Sequence, residues 1–585
     1  MTGAAKILTP NEAWLQAIQR TAALGNRPDV TLAALVRETA QRTPDAPAIL
    51  SDTDRFTYCE LADRAAHYAA WAAALGLGKG DAVALMMSNR PDYVAIWLGV
   101  TQTGATVALL NTNLSGASLL HCLHAANAKT VIVEAALSER LAGADGLALW
   151  VYGDAPGSSP RIDAWIGDLG QPSEKPSAVT LSDRALYIYT SGTTGLPKAA
   201  SVSHYRVMQW AQWFAGMGSL GPSDRTYNCL PLYHSVGGVV GVGAALAGGG
   251  SVFVRDGFSA SRFWVEVVEH DCTVFQYIGE LCRYLLNAPA DPASARHRLR
   301  LATGNGLKGD IWETFRDRFA VPQILEFYAS TEGSFSLFNY EQQPGAIGRI
   351  PGFASQRQNL VLIEVDAETG EPRRDAEGRC LRSGVNQPGE AISKLTNDAG
   401  RASERFEGYA DQVATERKIR RDVFAPGDVW YRSGDLMRKD AKGFFYFVDR
   451  IGDTFRWKGE NVSTAEVTDV VRACPGVIDA DVYGVAVPGA DGRAGMAALM
   501  TETWFDLAAF RAHVAECLPA YARPLFVRLR TALDRTPTFK ANKQQLQRDG
   551  FDPAMTDDLI YIDAGGYVRM DEQVVRAIAE GRMRL

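Results

Sequence analysis

A single decapeptide, residues 189–198, carries the side chains best suited to chemistry in this chain. It reads Tyr-Thr-Ser-Gly-Thr-Thr-Gly-Leu-Pro-Lys and combines hydroxyls, glycines and a cation at Thr190, Ser191, Gly192, Thr193, Thr194, Gly195 and Lys198. Glycines let backbone N–H groups approach an anion closely, hydroxyls donate further hydrogen bonds, and lysine adds a mobile positive charge. The decapeptide therefore predicts a polyphosphate site. It is not a Gly-x-x-x-x-Gly-Lys-Ser/Thr loop, because Lys198 follows a proline and precedes an alanine.

Other polar motifs occur further along the chain, several of them at the ends of predicted strands. They are Pro-Leu-Tyr-His at 231–234, Gly-Asn-Gly at 304–306, Tyr-Ala-Ser-Thr-Glu at 328–332, Ser-Gly-Asp at 433–435, Asp-Arg at 449–450 and Trp-Lys-Gly-Glu-Asn at 457–461. In open α/β sheets, ligands bind beyond the carboxyl ends of the strands. We therefore expect several of these motifs to converge on one site.

Alternating helices and strands must position these motifs. The apolar periodicity predicts helices at 31–42, 58–75 and 92–103, alternating with strands at 48–50, 82–87 and 131–133. Strands separated by helices of this length indicate βαβ units and a parallel sheet. The same rhythm resumes between residues 186 and 325.

The pattern changes in the last third of the chain. Residues 361–449 contain short strand-like runs broken by glycine, proline and charge, which predicts a more antiparallel subdomain. From residue 452 the pattern is compact α+β, with helices at 464–473 and 504–517 and a strand at 480–487. We predict an α/β protein with a large N-terminal domain (1–451), which includes the β-rich subdomain, and a small mobile α+β domain (452–585).

Composition limits the functional classes. The 585 residues are 46% hydrophobic and 22% charged, as in ordinary globular proteins, and the net charge of −7 argues against nucleic-acid binding. Eight cysteines without a Cys-x-x-Cys pair favour reduced thiols and a cytoplasmic location. Two uncharged runs, 93–120 and 230–254, are diluted by polar residues and glycine, and we interpret them as buried helix–strand units. Peripheral contact with the inner face of a membrane, and a homodimer, stay open.

Taken in order, the motifs resemble those of the adenylate-forming superfamily, which includes acyl-CoA synthetases, luciferases and peptide-synthetase adenylation domains. The resemblance narrows to the fatty acid transport protein/very-long-chain acyl-CoA synthetase branch at residues 258–264, 276–287, 452–461, 538–540 and 550–553. It implies two half-reactions. A carboxylate attacks the α-phosphate of ATP, giving an acyl-adenylate and pyrophosphate, and the thiol of coenzyme A then attacks the acyl-adenylate.

The resemblance also implies roles for the motif residues. The 190–198 loop would hold the β- and γ-phosphates, Thr331 would hydrogen-bond the α-phosphate, and Tyr328 would stack on adenine. Glu332 would hold Mg²⁺, a hard cation that prefers carboxylate and phosphate oxygens.

Further contacts to the nucleotide and acid follow in the same way. Gly304 and Asn305 would lie against adenine, Asp435 would accept hydrogen bonds from both ribose hydroxyls, and Arg450 would reach the ribose or a phosphate. His234 would lie beside the centre where the carboxylate is activated. A tight turn at Asn305 and a core position for His234 are the competing interpretations, and His204 is more readily interpreted as structural.

Family members place one lysine near the C-terminus to bridge the substrate carboxylate and the phosphate. This chain offers Lys540 and Lys543, and the spacing from Thr-Pro at 536–537 favours Lys540. Gly452 stands where many members carry a lysine or aspartate hinge, and glycine absorbs a large change in φ/ψ at little steric cost. Gly459 would line the pantetheine tunnel beside Lys458.

Two features bear on coenzyme A and the acyl chain. The basic run 417–421 either meets the phosphates of coenzyme A or forms a solvated helix face. The glycine-rich run 233–254 either leaves room for a long acyl chain or packs a helix closely against a sheet. The favoured function is ligation of a long- or very-long-chain fatty acid to coenzyme A. A fatty acyl-AMP ligase that loads a carrier protein, a bile-acid or steroid-side-chain ligase and a membrane-associated transport protein are the alternatives.

Overall fold

The computed structural model describes most of the chain. The described residues are 8–141, 143–154, 159–167, 178–190, 196–355, 359–366, 369–395, 406–458, 460–488, 490, 492–535, 543–580 and 582–583. The chain divides into two compact units, Met1–Asn359 with Lys394–Arg420 and Leu360–Ser393 with Arg421–Leu585. The predicted domain boundary at residue 451 marks the start of the segment expected to move, and it stays a prediction.

The strands of the first unit are β1 (Pro47–Leu50), β2 (Arg55–Thr57), β3 (Ala82–Met86), β4 (Thr106–Leu109), β5 (Thr130–Glu134), β6 (Ala148–Tyr152), β7 (Arg184–Thr190), β8 (Lys198–Ser203), β9 (Arg225–Asn228), β10 (Ser251–Val254), β11 (Val274–Ile278), β12 (Leu301–Asn305), β13 (Ile324–Ala329), β14 (Ser336–Asn339) and β15 (Gly348–Arg349). Its helices are α1 (Pro10–Ala22), α2 (Leu32–Arg42), α3 (Tyr58–Ala74), α4 (Pro91–Thr101), α5 (Gly116–Ala125), α6 (Ile162–Gly167), α7 (His204–Met217), α8 (Val242–Ala247), α9 (Phe263–Glu269), α10 (Gly279–Asn287), α11 (Gly309–Phe319) and α12 (Gln412–Glu416).

Two sheets form the first unit. One has the order β14-β13-β12-β11-β9-β10-β1-β2, and the other has the order β6-β5-β3-β4-β7-β8. The interior pairs are parallel, whereas β14, β2 and β8 pair antiparallel at the edges. This confirms the predicted α/β class. It also places the carboxyl ends of β9, β11, β12 and β13 at one edge of the larger sheet, where the predicted motifs follow.

The helices form where the sequence periodicity predicts them. Thr31 caps α2 by accepting a hydrogen bond from the backbone of Ala34 (3.3 Å), and Leu32 and Val36 on one face are buried. Helix α4 is buried along its whole length, which explains why the first part of the uncharged run, residues 93–101, lacks charge. Among the described residues, we find no helix both long and apolar enough to cross a membrane.

The remaining strands are β16 (Leu360–Ile363), β17 (Gly389–Lys394), β18 (Ile419–Arg421), β19 (Val429–Lys439), β20 (Phe444–Arg450), β21 (Phe455–Trp457), β22 (Glu460–Val462), β23 (Val477–Ala486), β24 (Arg493–Thr501), β25 (Phe526–Arg530), β26 (Leu559–Asp563) and β27 (Tyr567–Arg569). The remaining helices are α13 (Thr464–Arg472), α14 (Leu507–Cys517), α15 (Gln544–Asp549) and α16 (Glu572–Ala579).

The second unit combines most of the β-rich subdomain, which the sequence assigned to the large N-terminal domain, with the predicted α+β domain. In the β-rich part, β20, β19, β17 and β16 lie side by side, and the pairs β19/β20 and β16/β17 are antiparallel as predicted. The α+β part is a sheet of order β23-β24-β25-β26-β27. Gly452 has a φ of +92° and open space around its Cα, a conformation that suits a hinge glycine.

The glycine-rich run after His234 packs tightly, which favours the second of its two interpretations. It forms a π-helical segment, Ser235–Gly241, that continues into α8. A Cβ on Gly238 would lie 1.8 Å from the carbonyl oxygen of Leu232, and one on Gly237 would lie 2.5 Å from that of Pro231. These glycines therefore bring backbone against backbone and do not argue for an acyl tunnel.

Substitution of Gly238 by alanine is expected to destabilise the protein by about 3 kcal/mol or more, because the new methyl group must displace the backbone of Leu232. Urea unfolding monitored by circular dichroism measures this loss. The matched control is Gly257→Ala, since nothing lies within 4 Å of a Cβ built there. Equal midpoints for the two variants would contradict the packing role.

Candidate functional site

The Gly-Asn-Gly motif closes β12 at the carboxyl edge of the larger sheet. Gly304 is required there, because a Cβ would lie 2.2 Å from the carbonyl oxygen of Tyr277 on the neighbouring strand. Asn305 follows at the strand end, and its buried Oδ1 accepts no hydrogen bond from the described residues. A buried amide oxygen without a partner is costly. Asn305 therefore offers an acceptor to a polar ligand such as an amino group of adenine.

A buried carboxyl, Glu326 of β13, lies beneath this turn. It accepts hydrogen bonds from the hydroxyl of Tyr277 (2.5 Å), from the backbone N–H of Gly306 and from that of Leu307 (3.3 Å). Burial raises the pKa of Glu326 to about 8, although these bonds and the charge of Lys308 act in the opposite direction. Glu326, which lies on β13, is thus hydrogen-bonded both to β11 and to the turn that follows β12.

The raised pKa predicts a pH dependence of stability. In the unfolded chain Glu326 ionises near its ordinary value of 4.5, whereas in the folded protein it ionises near 8. Its stabilising contribution is therefore fully present below the unfolded value and is lost as pH rises through about 8. We expect Glu326→Gln, which resembles the protonated acid, to gain in melting temperature relative to the unsubstituted protein between pH 6 and 9. A difference in melting temperature between the two proteins that stays the same at every pH in this range would contradict the assignment.

The Tyr-Ala-Ser-Thr-Glu motif leaves β13 at the same edge. The ring of Tyr328 stacks on Phe335 with a centroid distance of 5.7 Å and an interplanar angle of 24°. Thr331 Oγ1 lies 3.1 Å from the hydroxyl of Ser235, the first residue of the π-helical segment. The hydroxyl pair connects the 231–234 and 328–332 motifs, which the sequence predicts to converge.

Glu332 is a buried carboxylate with a cationic partner. Its Oε1 lies 3.1 Å from Nζ of Lys418, and its side chain is 7% exposed. Burial acts to raise the pKa of Glu332, but the Lys418 ammonium, a backbone N–H and the Tyr409 hydroxyl hold it below its ordinary value. The carboxylate is therefore ionised at neutral pH and correctly charged to hold a cation.

A buried arginine fixes the turn that carries Glu332. Arg206 of α7 donates hydrogen bonds to the carbonyl oxygens of Thr331 (3.2 Å) and Gly333 (2.7 Å), which flank Glu332. Glu407 lies 3.8 Å from Arg206 and accepts hydrogen bonds from the backbone N–H (2.7 Å) and hydroxyl (2.6 Å) of Ser203. Glu407 thus compensates the charge of Arg206 and caps the start of α7.

Tyr409 interacts with this carboxylate and with both ends of the predicted phosphate loop. Thr190 at the end of β7 pairs with Lys198 at the start of β8. Burial and the neighbouring Glu332 raise the pKa of the Tyr409 hydroxyl, and its interaction with Thr190 acts in the opposite direction. The ammonium of Lys198 lies 5.9 Å from the centroid of the Tyr409 ring. Ser191, Gly192, Thr193, Thr194 and Gly195 lie outside the described residues.

Backbone pairing holds Tyr409 in this position. The N–H of Ser201 donates to the carbonyl oxygen of Gly408 (3.0 Å), and that of Ala410 donates to Ala199 (2.9 Å). The segment therefore pairs antiparallel with β8. We call Thr190, Lys198, Glu332, Tyr409 and Lys418 the phosphate-loop cluster.

The two histidines differ in environment. His234 precedes the π-helical segment and lies against the ring of Tyr233, with centroids 4.7 Å apart. His204 is buried at the start of α7, and burial lowers its pKa to about 4. A histidine that stays neutral at physiological pH and is closed to solvent agrees with a structural role for His204.

In the second unit, Asp435 and Arg450 face each other. They are register partners on β19 and β20, and Nε of Arg450 lies 3.7 Å from Oδ1 of Asp435. The Ser-Gly-Asp motif lies inside β19, where Gly434 adopts a φ of +79° without ending the strand. A half-buried carboxylate beside a guanidinium suits recognition of ribose hydroxyls or phosphate.

The structure separates the two candidate lysines. Lys543 donates a hydrogen bond from Nζ to the hydroxyl of Thr464 (3.0 Å) at the start of α13, and its charge opposes the burial that raises the pKa of Asp449. Lys540 lies outside the described residues, as does Gly459. Lys458, which precedes Gly459, has a φ of +52° and stands exposed between β21 and β22.

The side chains available at this site suit Mg²⁺ that is bound together with substrate phosphates, rather than a metal held entirely by protein ligands. No group of three or more His, Cys, Asp or Glu side chains that could hold a metal occurs within the described residues. Magnesium is commonly bound by one or two carboxylates together with substrate phosphates and water. Glu332 supplies one carboxylate next to the predicted phosphate loop, and Thr331 supplies a neighbouring hydroxyl.

Sequence reasoning missed Ser235, Tyr409 and Arg206, and it named Lys418 only as part of the basic run 417–421. Ser235 directly follows the 231–234 motif, so the sequence could have included it in that motif. The other three contact the motifs only through the fold. For Lys418, the interpretation of a solvated helix face is wrong, because its ammonium pairs with the buried Glu332 after α12 has ended.

Comparisons with known proteins place this site in a family. A family profile described as "AMP-binding enzyme" matches residues 36–386. The chain is 41% identical to long-chain fatty acid transport protein 1 of Mus musculus, covering 95% of this chain and 88% of that protein. It is 39% identical to long-chain fatty acid transport protein 2 of Rattus norvegicus, over 96% and 92% of the two chains. A benzoate CoA ligase from Burkholderia xenovorans shares the fold, with a TM-score of 0.75 at 23% identity over 88% of this chain and all (100%) of that one. The chain therefore belongs to the AMP-binding, adenylate-forming enzymes of the acyl-CoA synthetase class, within the branch of the long-chain fatty acid transport proteins.

Proposed function

We propose that the protein ligates a long- or very-long-chain fatty acid to coenzyme A, using ATP and passing through an acyl-adenylate. The observation that carries the proposal is the phosphate-loop cluster, in which the ionised Glu332 pairs with Lys418 and contacts Tyr409, whose ring lies against Lys198 at one end of a polyphosphate-type loop. Relatives that are named for long-chain fatty acids support the substrate class.

In the first half-reaction, an oxygen of the fatty acid carboxylate forms a bond to the α-phosphorus and the bond to pyrophosphate breaks. Two anions must approach each other, so catalysis consists of orientation and positive charge. We propose that Thr331 donates a hydrogen bond to the α-phosphate, that Lys198 and Thr190 hold the β- and γ-phosphates, and that Lys540 bridges carboxylate and phosphate. Mg²⁺ bound to Glu332 would neutralise phosphate charge.

The other nucleotide contacts are proposed from the same chemistry. The stacked ring of Tyr328 offers a flat surface to adenine, and the unpartnered Oδ1 of Asn305 offers an acceptor. Asp435 and Arg450 are proposed to bind the ribose, and His234 is proposed to lie beside the reacting carboxylate.

In the second half-reaction, the thiolate of coenzyme A attacks the acyl carbonyl and AMP leaves. We propose that Gly459 leaves room for the pantetheine arm and that Lys458, exposed on its turn, contacts coenzyme A. Rotation about Gly452 would bring this turn to the adenylate in place of Lys540. The φ of +92° at Gly452 supports a hinge there.

The testing experiment measures pyrophosphate release from the purified protein with Mg-ATP and a panel of carboxylates. The panel runs from C8 to C24 fatty acids and includes a bile acid, each with and without coenzyme A. Pyrophosphate and acyl-CoA that appear in equal amounts, with a preference for long chains, would support the proposal. Pyrophosphate without acyl-CoA would favour a carrier-protein acceptor, and a preference for the bile acid would favour the steroid-side-chain alternative. No release with any acid would contradict the proposed reaction.

A further inference from the structure

We propose that Lys418 is a second phosphate-binding lysine, which pairs with Glu332 in this structure and transfers to the β- or γ-phosphate when Mg-ATP binds. The inference rests on the proposed function and extends its nucleotide site. Lys418 belongs to the basic run 417–421, for which the sequence suggested the phosphates of coenzyme A or a solvated helix face, and not the phosphates of ATP.

The position of Lys418 supports this role. Its Nζ lies 3.1 Å from Glu332, and its side chain is 25% exposed, so the ammonium borders both the buried carboxylate and solvent. Tyr409 contacts the same carboxylate and also contacts Thr190 at the loop end. Lys198 lies on the ring of Tyr409. Lys418 therefore lies at the carboxylate that Tyr409 contacts, and Lys198 lies against the Tyr409 ring at one end of the loop.

The charges explain why the lysine would move. Once a divalent cation occupies Glu332, the ammonium of Lys418 is repelled from the oxygens that it contacts here. The triphosphate at the same time brings several negative charges that one lysine and one Mg²⁺ do not balance. Lysine carries a compact charge on a flexible four-carbon stem, which lets its ammonium move by several ångströms without backbone change.

A purely structural role makes a different prediction. If Lys418 serves only as the counter-ion of Glu332, then its loss matters only while that carboxylate carries a charge. If Lys418 also binds phosphate, then its loss weakens ATP binding even when position 332 is neutral. A double-mutant cycle between the two positions separates these cases.

The experiment titrates ATP and AMP into the full chain by calorimetry, in EDTA and in Mg²⁺. Lys418→Met is expected to weaken ATP binding by about 10- to 100-fold, as for the loss of a charge-assisted hydrogen bond, and to leave AMP binding within about 2-fold. Lys418→Arg should keep most of the affinity for ATP. The matched control is Arg417→Met, which removes an exposed charge from the neighbouring residue and should change neither.

The decisive arm repeats the Lys418→Met substitution in a Glu332→Gln background, in EDTA. A further loss of about 5-fold or more in ATP affinity supports direct phosphate binding. No further loss shows that Lys418 acts only through Glu332 and overturns the inference. Unchanged AMP binding in each variant shows that the fold is intact, and equal losses for ATP and AMP also overturn the inference. If the unsubstituted protein binds neither nucleotide, the proposed function itself fails.

Discussion

Lys540→Ala is expected to lower acyl-adenylate formation by about 10²-fold or more, while transfer of a supplied acyl-adenylate to coenzyme A stays within about 3-fold. The physical reason is that one preorganised positive charge is lost where negative charge accumulates between carboxylate and phosphate. The second half-reaction has no such approach of two anions. Pyrophosphate exchange measures the first step, and acyl-CoA formation from synthetic acyl-adenylate measures the second.

Lys543→Ala is the matched control, because it removes the same charge three residues away. The hydrogen bond from Lys543 to Thr464, close to the start of α13, assigns this lysine a structural role within the second unit. We therefore expect a lower melting temperature for Lys543→Ala and adenylation within a few-fold of normal. If Lys540→Ala impairs both half-reactions equally, or if Lys543→Ala is the variant that loses adenylation, the lysine assignment is wrong.

Local periodicity predicted the elements well, because each signal is contained in a few turns of chain. Helix α2 and strand β5 appear where the apolar spacing places them. Helix α14 begins at Leu507 and not at residue 504, because the Asp506 side chain accepts a hydrogen bond from the backbone of Ala508 and caps the helix there. The cap was visible in the sequence, but the apolar Trp504 and Phe505 before it extended the predicted helix.

The motifs at strand ends were predictable for a different reason. Parallel topology brings the carboxyl ends of neighbouring strands to one edge of the sheet. The proximity of Asn305 and Tyr328, which lie on adjacent strands, could therefore be predicted without knowledge of side-chain contacts. Tyr409, Lys418 and Arg206 could not be found in this way. Each reaches Glu332 or its turn across a large separation in sequence, and such contacts depend on the complete tertiary fold.

The second large effect is expected for Glu332→Gln, which should lower adenylation by about 10²- to 10³-fold at millimolar Mg²⁺. Glutamine keeps the shape of the side chain and an oxygen that can accept from Tyr409, but it removes the charge that is proposed to hold Mg²⁺. The Mg²⁺ concentration at half-maximal pyrophosphate exchange should therefore rise together with the loss of rate. The control, Glu313→Gln, neutralises an exposed glutamate on α11 and should change neither quantity.

The contacts of Arg206 allow the experiment to separate the charge of Glu332 from the conformation of the turn that carries it. Because the arginine holds the carbonyl oxygens on both sides of residue 332, the turn should keep its conformation in Glu332→Gln. AMP, which is proposed to contact Thr331 and Tyr328 but not the cation, should then bind the variant with nearly normal affinity. A variant that loses AMP binding together with adenylation would show that Glu332 shapes the turn. An unchanged half-maximal Mg²⁺ concentration would show that the metal is held elsewhere, and either result would contradict the proposed role of this carboxylate.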